Sequence, residues 1–195
     1  MSKSDPAAAK KERNKTIRWV VTIFLVTIFV SGIISLLSDF VMSVSGIVVA
    51  FVILMVIILV GIVFDIIGVA VTSADEKPFH SMAARKVPGA QDAIKLLRNA
   101  ERVSSICNDV VGDICGVVSG SASATIAAQV LARTEFSLPQ LVTLLMSAMV
   151  AGLTVGGKAI GKTFAVHSCT KIVSGVGRIL YVLKHPMKLS KKKKK

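Results

Sequence analysis

Charge is scarce in this chain. Asp, Glu, Lys and Arg make up 18% of its 195 residues, while 53% are hydrophobic. A water-soluble domain of this length needs far more charged surface, so that class is excluded. Two runs carry no charge at all, WVVTIFLVTIFVSGIISLL from Trp19 and GIVVAFVILMVIILVGIVF from Gly46. Each has the ~20 residues that a helix needs to cross a ~30 Å hydrocarbon core. No convincing small-x-small cleavage site follows the first run, so it is expected to be a retained span rather than a removed leader. Cysteine is equally sparse. Cys107, Cys115 and Cys169 are odd in number and form no Cys-x-x-Cys, which supports neither a disulfide framework nor a zinc site. They are expected to act as small hydrophobes.

Two further blocks are apolar enough to cross a bilayer but carry charge or glycine clusters. Val103 to Leu131 contains Asn108, Asp109 and Asp113, and Leu138 to Ala165 contains Gly156-Gly157-Lys158. Asp65 interrupts the end of the second span. An ionisable group at membrane depth is costly and marks a functional site by default. The fold class expected is therefore all-α, an integral membrane protein with four transmembrane helices and amphipathic juxtamembrane belt helices.

The net charge of +13 suggests nucleic acid in a soluble protein, but its distribution argues otherwise. Basic residues cluster before Trp19, between Thr72 and Arg102, and from Lys158 onward. The short connections Ser38–Ser45 and Ala132–Gln140 hold only Arg133. Four crossings satisfy this alternation. The positive-inside rule then makes both termini and the 72–102 connection cytoplasmic, with Asp39 and Glu135 outside, in a cell membrane protein that does not bind nucleic acid.

Along the chain, residues 1–18 form a basic tail, expected to be disordered or a short surface helix. Residues 19–40 form the first span, closed by a hairpin at Ser38 to Ser43. The main membrane domain is expected over 44–184, followed by a basic disordered tail at 185–195. In KVPGAQDAIKLLRNAERV, Ala90, Ala93, Ile94, Leu97 and Ala100 recur at helical spacing, with Pro88-Gly89 as the opening turn and Asn99 as an interruption. A second amphipathic stretch, SCTKIVSGVGRILYVLKH, sets Ile172, Val176, Ile179, Leu180 and Leu183 toward membrane and Lys171, Arg178 and Lys184 toward water, with Tyr181 an interfacial anchor. Anionic membrane lipids are the partners expected at these basic segments.

Gly112, Gly116 and Gly120 recur every fourth residue and make one small stripe, a packing groove for a bundle or a dimer. Pro139 suits a helix start. Gly156, Gly157 and Gly161 predict a broken helix whose freed carbonyls would be hard-cation ligands. The run Gly156 to Thr163 also fits the spacing of a phosphate loop, but it follows an apolar span and not a strand, so that chemistry is rejected. His80, His167 and His185 are scattered with no catalytic partner, and the chain is not expected to be an enzyme.

These segments resemble the CorB/CorC and cyclin-M (CNNM) transmembrane-domain family. Gly156 to Ala165 is similar to that family's phenylalanine-glycine-glutamate-isoleucine-x-proline-lysine-x-leucine-alanine signature, with Gly157, Ile160, Lys162 and Ala165 as the shared residues. Ala93 to Glu101 resembles alanine-x-x-leucine-leucine-x-asparagine-proline-glutamate, with Ala100 at the proline. Phe64 to Ser73 resembles phenylalanine-serine-x-x-glutamate-x-alanine-x-x-serine at Phe64, Ala70 and Ser73. The resemblance covers about 120 residues. It implies a homodimeric domain with three core spans and a belt of juxtamembrane helices, transporting Mg2+ near mid-membrane. It also implies ion contacts from first-helix hydroxyls, a second-helix asparagine and carbonyls of a broken third helix.

Carried onto this sequence, the family's serine falls on Asp65 and its glutamate on Gly68. The asparagine falls on Asn108 with one small gap, or on Val111-Gly112 without it. Lys158 replaces the signature glutamate and Gly161 its proline. A member without the usual CBS domains, and with an added first span, is expected. The metal ligand set expected for Mg2+ is Asp65, Asn108, Asp109, Asp113, Gly156 and Gly157, with Lys158 and Lys162 as ion-pair or coupling residues. Two alternatives stay open. A lysine at 158 either removes ion coupling or supplies a tethered cation, and Asp65 or Asp113 either binds metal or pairs with Lys158 in a non-transporting scaffold.

Overall fold

A computed structural model describes residues 6–133 and 138–184. Every element among these is helical: α1 (Pro6–Val44), α2 (Ile47–Ser73), α3 (Lys77–Ala84), α4 (Ala90–Arg98), α5 (Ala100–Ser105), a π-helical segment (Ile106–Gly112), α6 (Asp113–Leu131), α7 (Pro139–His167) and α8 (Cys169–Lys184). Four stretches are long and apolar enough to cross a membrane: Asn14–Ser38, Ile47–Ser73, Ala100–Leu131 and Pro139–His167. They correspond to the four blocks read from the sequence.

The centre of the fold is α2, against which α6, α7, the π segment, α5 and α8 all pack. Its buried side chains form two apolar clusters. Ala50, Leu54 and Ile58 meet Ala122 and Ile126 of α6 and Val150 of α7. Ala70 and Val71 join Phe79, Ala93, Ile94, Ala165 and Val173 where the belt helices gather at the other end. Asp65 lies between the two clusters and is itself buried.

The first span runs further than its apolar core. Residues 6–18 continue α1 as regular helix, and the tail's first five residues lie outside the described part. The hairpin expected at Ser38 to Ser43 is not there. Phe40, Val41 and Met42 prolong the apolar helix to Val44, and the chain turns at Ser45-Gly46 instead. The Ser45 hydroxyl donates to the Val41 carbonyl at 2.6 Å and so satisfies an acceptor that the helix end leaves open. Asp39 therefore belongs to α1 and not to the connection, while Glu135 and residues 185–195 lie outside the described residues. The helix packs chiefly on α6.

Local signals in the belt act as their chemistry requires. Gly89 is the N-cap of α4 with a φ of 87°, a left-handed conformation that costs glycine least. Asn99 separates α4 from α5. Its side-chain amide donates to the Lys95 carbonyl at 2.9 Å, which closes the end of α4 and lets the chain restart. Pro139 opens α7 in its first turn.

The glycine-rich stretch of α7 departs from expectation. The helix is unbroken from Pro139 to His167, so Gly156 and Gly157 keep their carbonyls in the helical ladder. There is no proline here to remove a donor. Gly157 and Gly161 are packing residues. A Cβ on Gly157 would overlap Ile62 Cδ1, and one on Gly161 would lie 2.8 Å from Ile66 Cγ1. Two glycines one turn apart thus seat α7 closely on α2.

Candidate functional site

The seating of α7 determines where its lysines go. Lys158 and Lys162 each follow one of the two packed glycines, and Asp65 lies between the two isoleucines that cover those glycines. Lys158 Nζ stands 3.9 Å from Asp65 Oδ1, and Lys162 Nζ stands 3.7 Å from Asp65 Oδ2. The Asp65 side chain is 5% exposed, against 22% for Lys158 and 54% for Lys162. Lys162 therefore reaches the carboxylate from an open edge, whereas Lys158 approaches from inside. Both separations exceed a hydrogen bond, so these are charge pairs without direct proton sharing. Lys158 Nζ also comes within 3.3 Å of where a Cβ on Gly112 would be, which brings the start of α6 into the same junction.

The π segment supplies the third wall. Asn108 lies half-buried with its amide against Gly68, one turn along α2 from Asp65. A Cβ at Gly68 would overlap Asn108 Oδ1. The Asn108 amide nitrogen donates to the Ser104 hydroxyl at 3.2 Å, which turns the amide oxygen toward α2. Asn108 Oδ1 and Asp65 Oδ2 are both buried and accept no hydrogen bond. Unpaired buried acceptors of this kind are rare and call for a physical reason, such as a water or an ion. π-turns within α-helices are found disproportionately at functional sites.

The expected acidic ligand group divides. Asp109 and Asp113 are exposed and do not join Asp65. Asp109 instead accepts the Ser105 hydroxyl at 2.7 Å. Among the described residues no three His, Cys, Asp or Glu side chains come together as a metal-holding group. The carbonyls of Gly156 and Gly157 are committed to α7. Of the residues expected to hold Mg2+, the fold brings together Asp65 and Asn108, with Lys158 and Lys162 beside them.

Sequence reading missed Gly61 and the π turn, and it singled out Gly68 only as the position matched to a glutamate, not as the seat of Asn108. A Cβ on Gly61 would lie 2.9 Å from Cys115 Cβ. Gly61 and Gly68 are seven residues apart on α2 with Asp65 between them, a small-residue spacing that signals close helix approach on that face. The α6 hydroxyls are harmless to the core because its own backbone accepts them: Ser119 donates to Gly116, Ser123 to Gly120 and Thr125 to Ser121. The phosphate-loop spacing from Gly156 to Thr163 lies inside α7 and forms no loop.

Compared with protein-family models, curated proteins and solved structures, the chain matches none.

Proposed function

We propose that this chain is a four-span membrane protein that transports a divalent cation, Mg2+ preferred. In this reading Asp65 and Asn108 are its side-chain ligands, and Lys158 and Lys162 are counter-charges that a cation displaces. The observation carrying the reading is the pair of buried oxygens without donors, Asp65 Oδ2 and Asn108 Oδ1, at the junction of α2, the π segment and α7. A carboxylate and an amide oxygen suit Mg2+, which retains several waters and needs few protein ligands. The lysines stand beyond hydrogen-bond distance of the carboxylate, so exchange for a cation breaks no direct bond to it. The resemblance to CorB/CorC proteins points to the same ion. The basic clusters favour cytoplasmic termini. Homodimerisation has its support in the α6–α7 groove of about 210 Å³, where a Cβ on Gly116 or Gly120 would meet nothing within 4 Å.

A second reading has its own observations. Unbroken α7, outward Asp109 and Asp113, and two ammonium groups at one carboxylate all favour a non-transporting scaffold in which lysine replaces the ion permanently. Proteoliposomes loaded with a Mg2+-sensitive dye separate the two. The transport reading expects saturable uptake by the wild-type protein, none by Asp65→Asn, and tighter Mg2+ dependence in Lys162→Met. No uptake in any of the three, together with no Mg2+-dependent thermal stabilisation, favours the scaffold.

A further inference from the structure

Two side-chain pairs stand one residue apart where α5 runs into the π segment. The Asn108 amide donates to the Ser104 hydroxyl at 3.2 Å, and the Ser105 hydroxyl donates to Asp109 Oδ2 at 2.7 Å. Each pair spans four residues, so the second repeats the first one position on. Only the first faces α2, where Asn108 fills the space over Gly68, while Asp109 is exposed. Aspartate and asparagine have nearly the same shape, so the cradle over Gly68 fits either.

A π turn closes i→i+5 where an α-helix closes i→i+4, and it therefore holds one extra residue. Expelling that residue slides the chain ahead of the turn by about 1.5 Å and rotates it by about 100°. Each residue then takes roughly the place of the one before it. Asp109 arrives over Gly68, and Ser105 follows into the place of Ser104. The two ends of the segment are unequally held. Beyond it, Ile114 and Val118 of α6 are buried and Cys115 packs on Gly61. Before it, α5 has no fully buried residue, and the helix is already interrupted at Asn99. The extra residue therefore leaves toward Asn99.

Charge gives the shift a cause. At rest both lysines stand beside Asp65, and the Asn108 amide needs no counter-charge. A divalent cation in place of the lysines brings two positive charges, of which Asp65 neutralises one. A second carboxylate neutralises the other, and ligand charge count sets the affinity of such oxygen sites. Without the cation, Asp109 would leave an exposed place for a buried one beside another carboxylate, which is costly.

Building on the cation reading of Asp65, we propose that Asp109 is a second carboxylate ligand, carried over Gly68 when the π turn relaxes to α-helix on cation binding. Asn108 supplies the amide oxygen that first meets the ion, and Asp109 replaces it. The same shift moves a native thiol. Cys107, 7% exposed, goes to the place of Ile106, which is 48% exposed.

The test uses the full chain in detergent with Cys115→Ala and Cys169→Ala, which leaves Cys107 as its one thiol. Labelling of Cys107 by N-ethylmaleimide is expected to quicken severalfold and saturably with Mg2+, in step with thermal stabilisation by the ion. Asp109→Asn should abolish that quickening and raise the Mg2+ concentration needed for stabilisation by roughly tenfold or more, through loss of one charged ligand. Deleting Asn108 removes the extra residue and sets Asp109 over Gly68 at all times. That variant should need less Mg2+ than the wild type, with Cys107 labelling slowly throughout. Equal stabilisation of the wild type and Asp109→Asn, with labelling not quickened by Mg2+, overturns the shift and leaves the Asp65 reading standing. Quickened labelling that persists in Asp109→Asn overturns the ligand role of Asp109. No stabilisation of the wild type by Mg2+ overturns both the shift and the reading beneath it.

Discussion

The amide of Asn108 rests on the bare backbone of Gly68, where any Cβ would overlap its oxygen. This one contact couples the π segment to α2 and puts an amide oxygen one turn from Asp65. Gly68→Ala is accordingly expected to destabilise the protein by about 1–3 kcal/mol, the usual range for overpacking. Pairing it with Asn108→Ala should recover much of the loss. Thermal melting in mild detergent reads both, and a neutral Gly68→Ala would contradict the contact.

The two lysines at Asp65 predict unequal and non-additive effects. Losing Lys158 or Lys162 alone leaves the carboxylate with one partner, so each single methionine variant should cost little. The double variant leaves a carboxylate buried without a counter-charge, a situation that costs roughly 3–5 kcal/mol when fully buried. The open edge at Lys162 lowers the figure here, since water reaches that side. The double should nevertheless exceed the sum of the singles by more than about 0.5 kcal/mol. Additive losses would mean that the lysines act independently.

Gly156 distinguishes a continuous helix from a broken one. A Cβ there meets nothing within 4 Å, and the residue is helical. Gly156→Ala is therefore expected to stabilise by about 0.5–1 kcal/mol, through the helix preference of alanine. A loss of stability would indicate that the chain needs a non-helical conformation at this point.

Outside the spans, Arg98 holds Glu76 below the ordinary carboxylate value of 4.5, mainly through a side-chain hydrogen bond from Arg98 Nε at 2.8 Å. Because the folded value is depressed, this contribution is fully present above pH 4.5 and is lost as pH falls through the lower folded value. The effect should be small, because the pair is exposed and screened by salt. Glu76→Gln should flatten the acid limb of a melting-temperature profile slightly at low ionic strength. An unchanged limb would show that the pair adds nothing to stability.

Topology can be checked by accessibility. With Cys107, Cys115 and Cys169 replaced by alanine, a cysteine at Gly46 should react with an impermeant reagent from outside intact cells. A cysteine at Asp75 should react only after the cells are opened. The reverse pattern would invert the orientation drawn from the basic clusters.

The sequence by itself determined the class of this protein and its punctuation. Uncharged runs of about 20 residues allow little but a spanning helix, and the two such runs, with the two apolar blocks that carry charge, appear as four long helices. Gly89, Asn99 and Pro139 marked helix boundaries because each effect is local: a positive φ, a side-chain cap, a missing donor. The same local reasoning failed for Gly156 and Gly157. Glycine permits a break without imposing one, and the Ile62 and Ile66 side chains of α2 fill the space over Gly157 and Gly161.

Only the tertiary structure decided which polar groups meet. Asn108, Asp109 and Asp113 lie within six residues of one another, and nothing in their spacing says that one turns inward while two turn out. The π turn makes that division, and its register depends on the fit of Asn108 against Gly68. Likewise a lone aspartate in one span and two lysines in another carry no mutual distance in sequence. Their approach follows from two glycines that let α7 sit on α2 at one register, because close packing of helix faces fixes the distances that charge alone cannot.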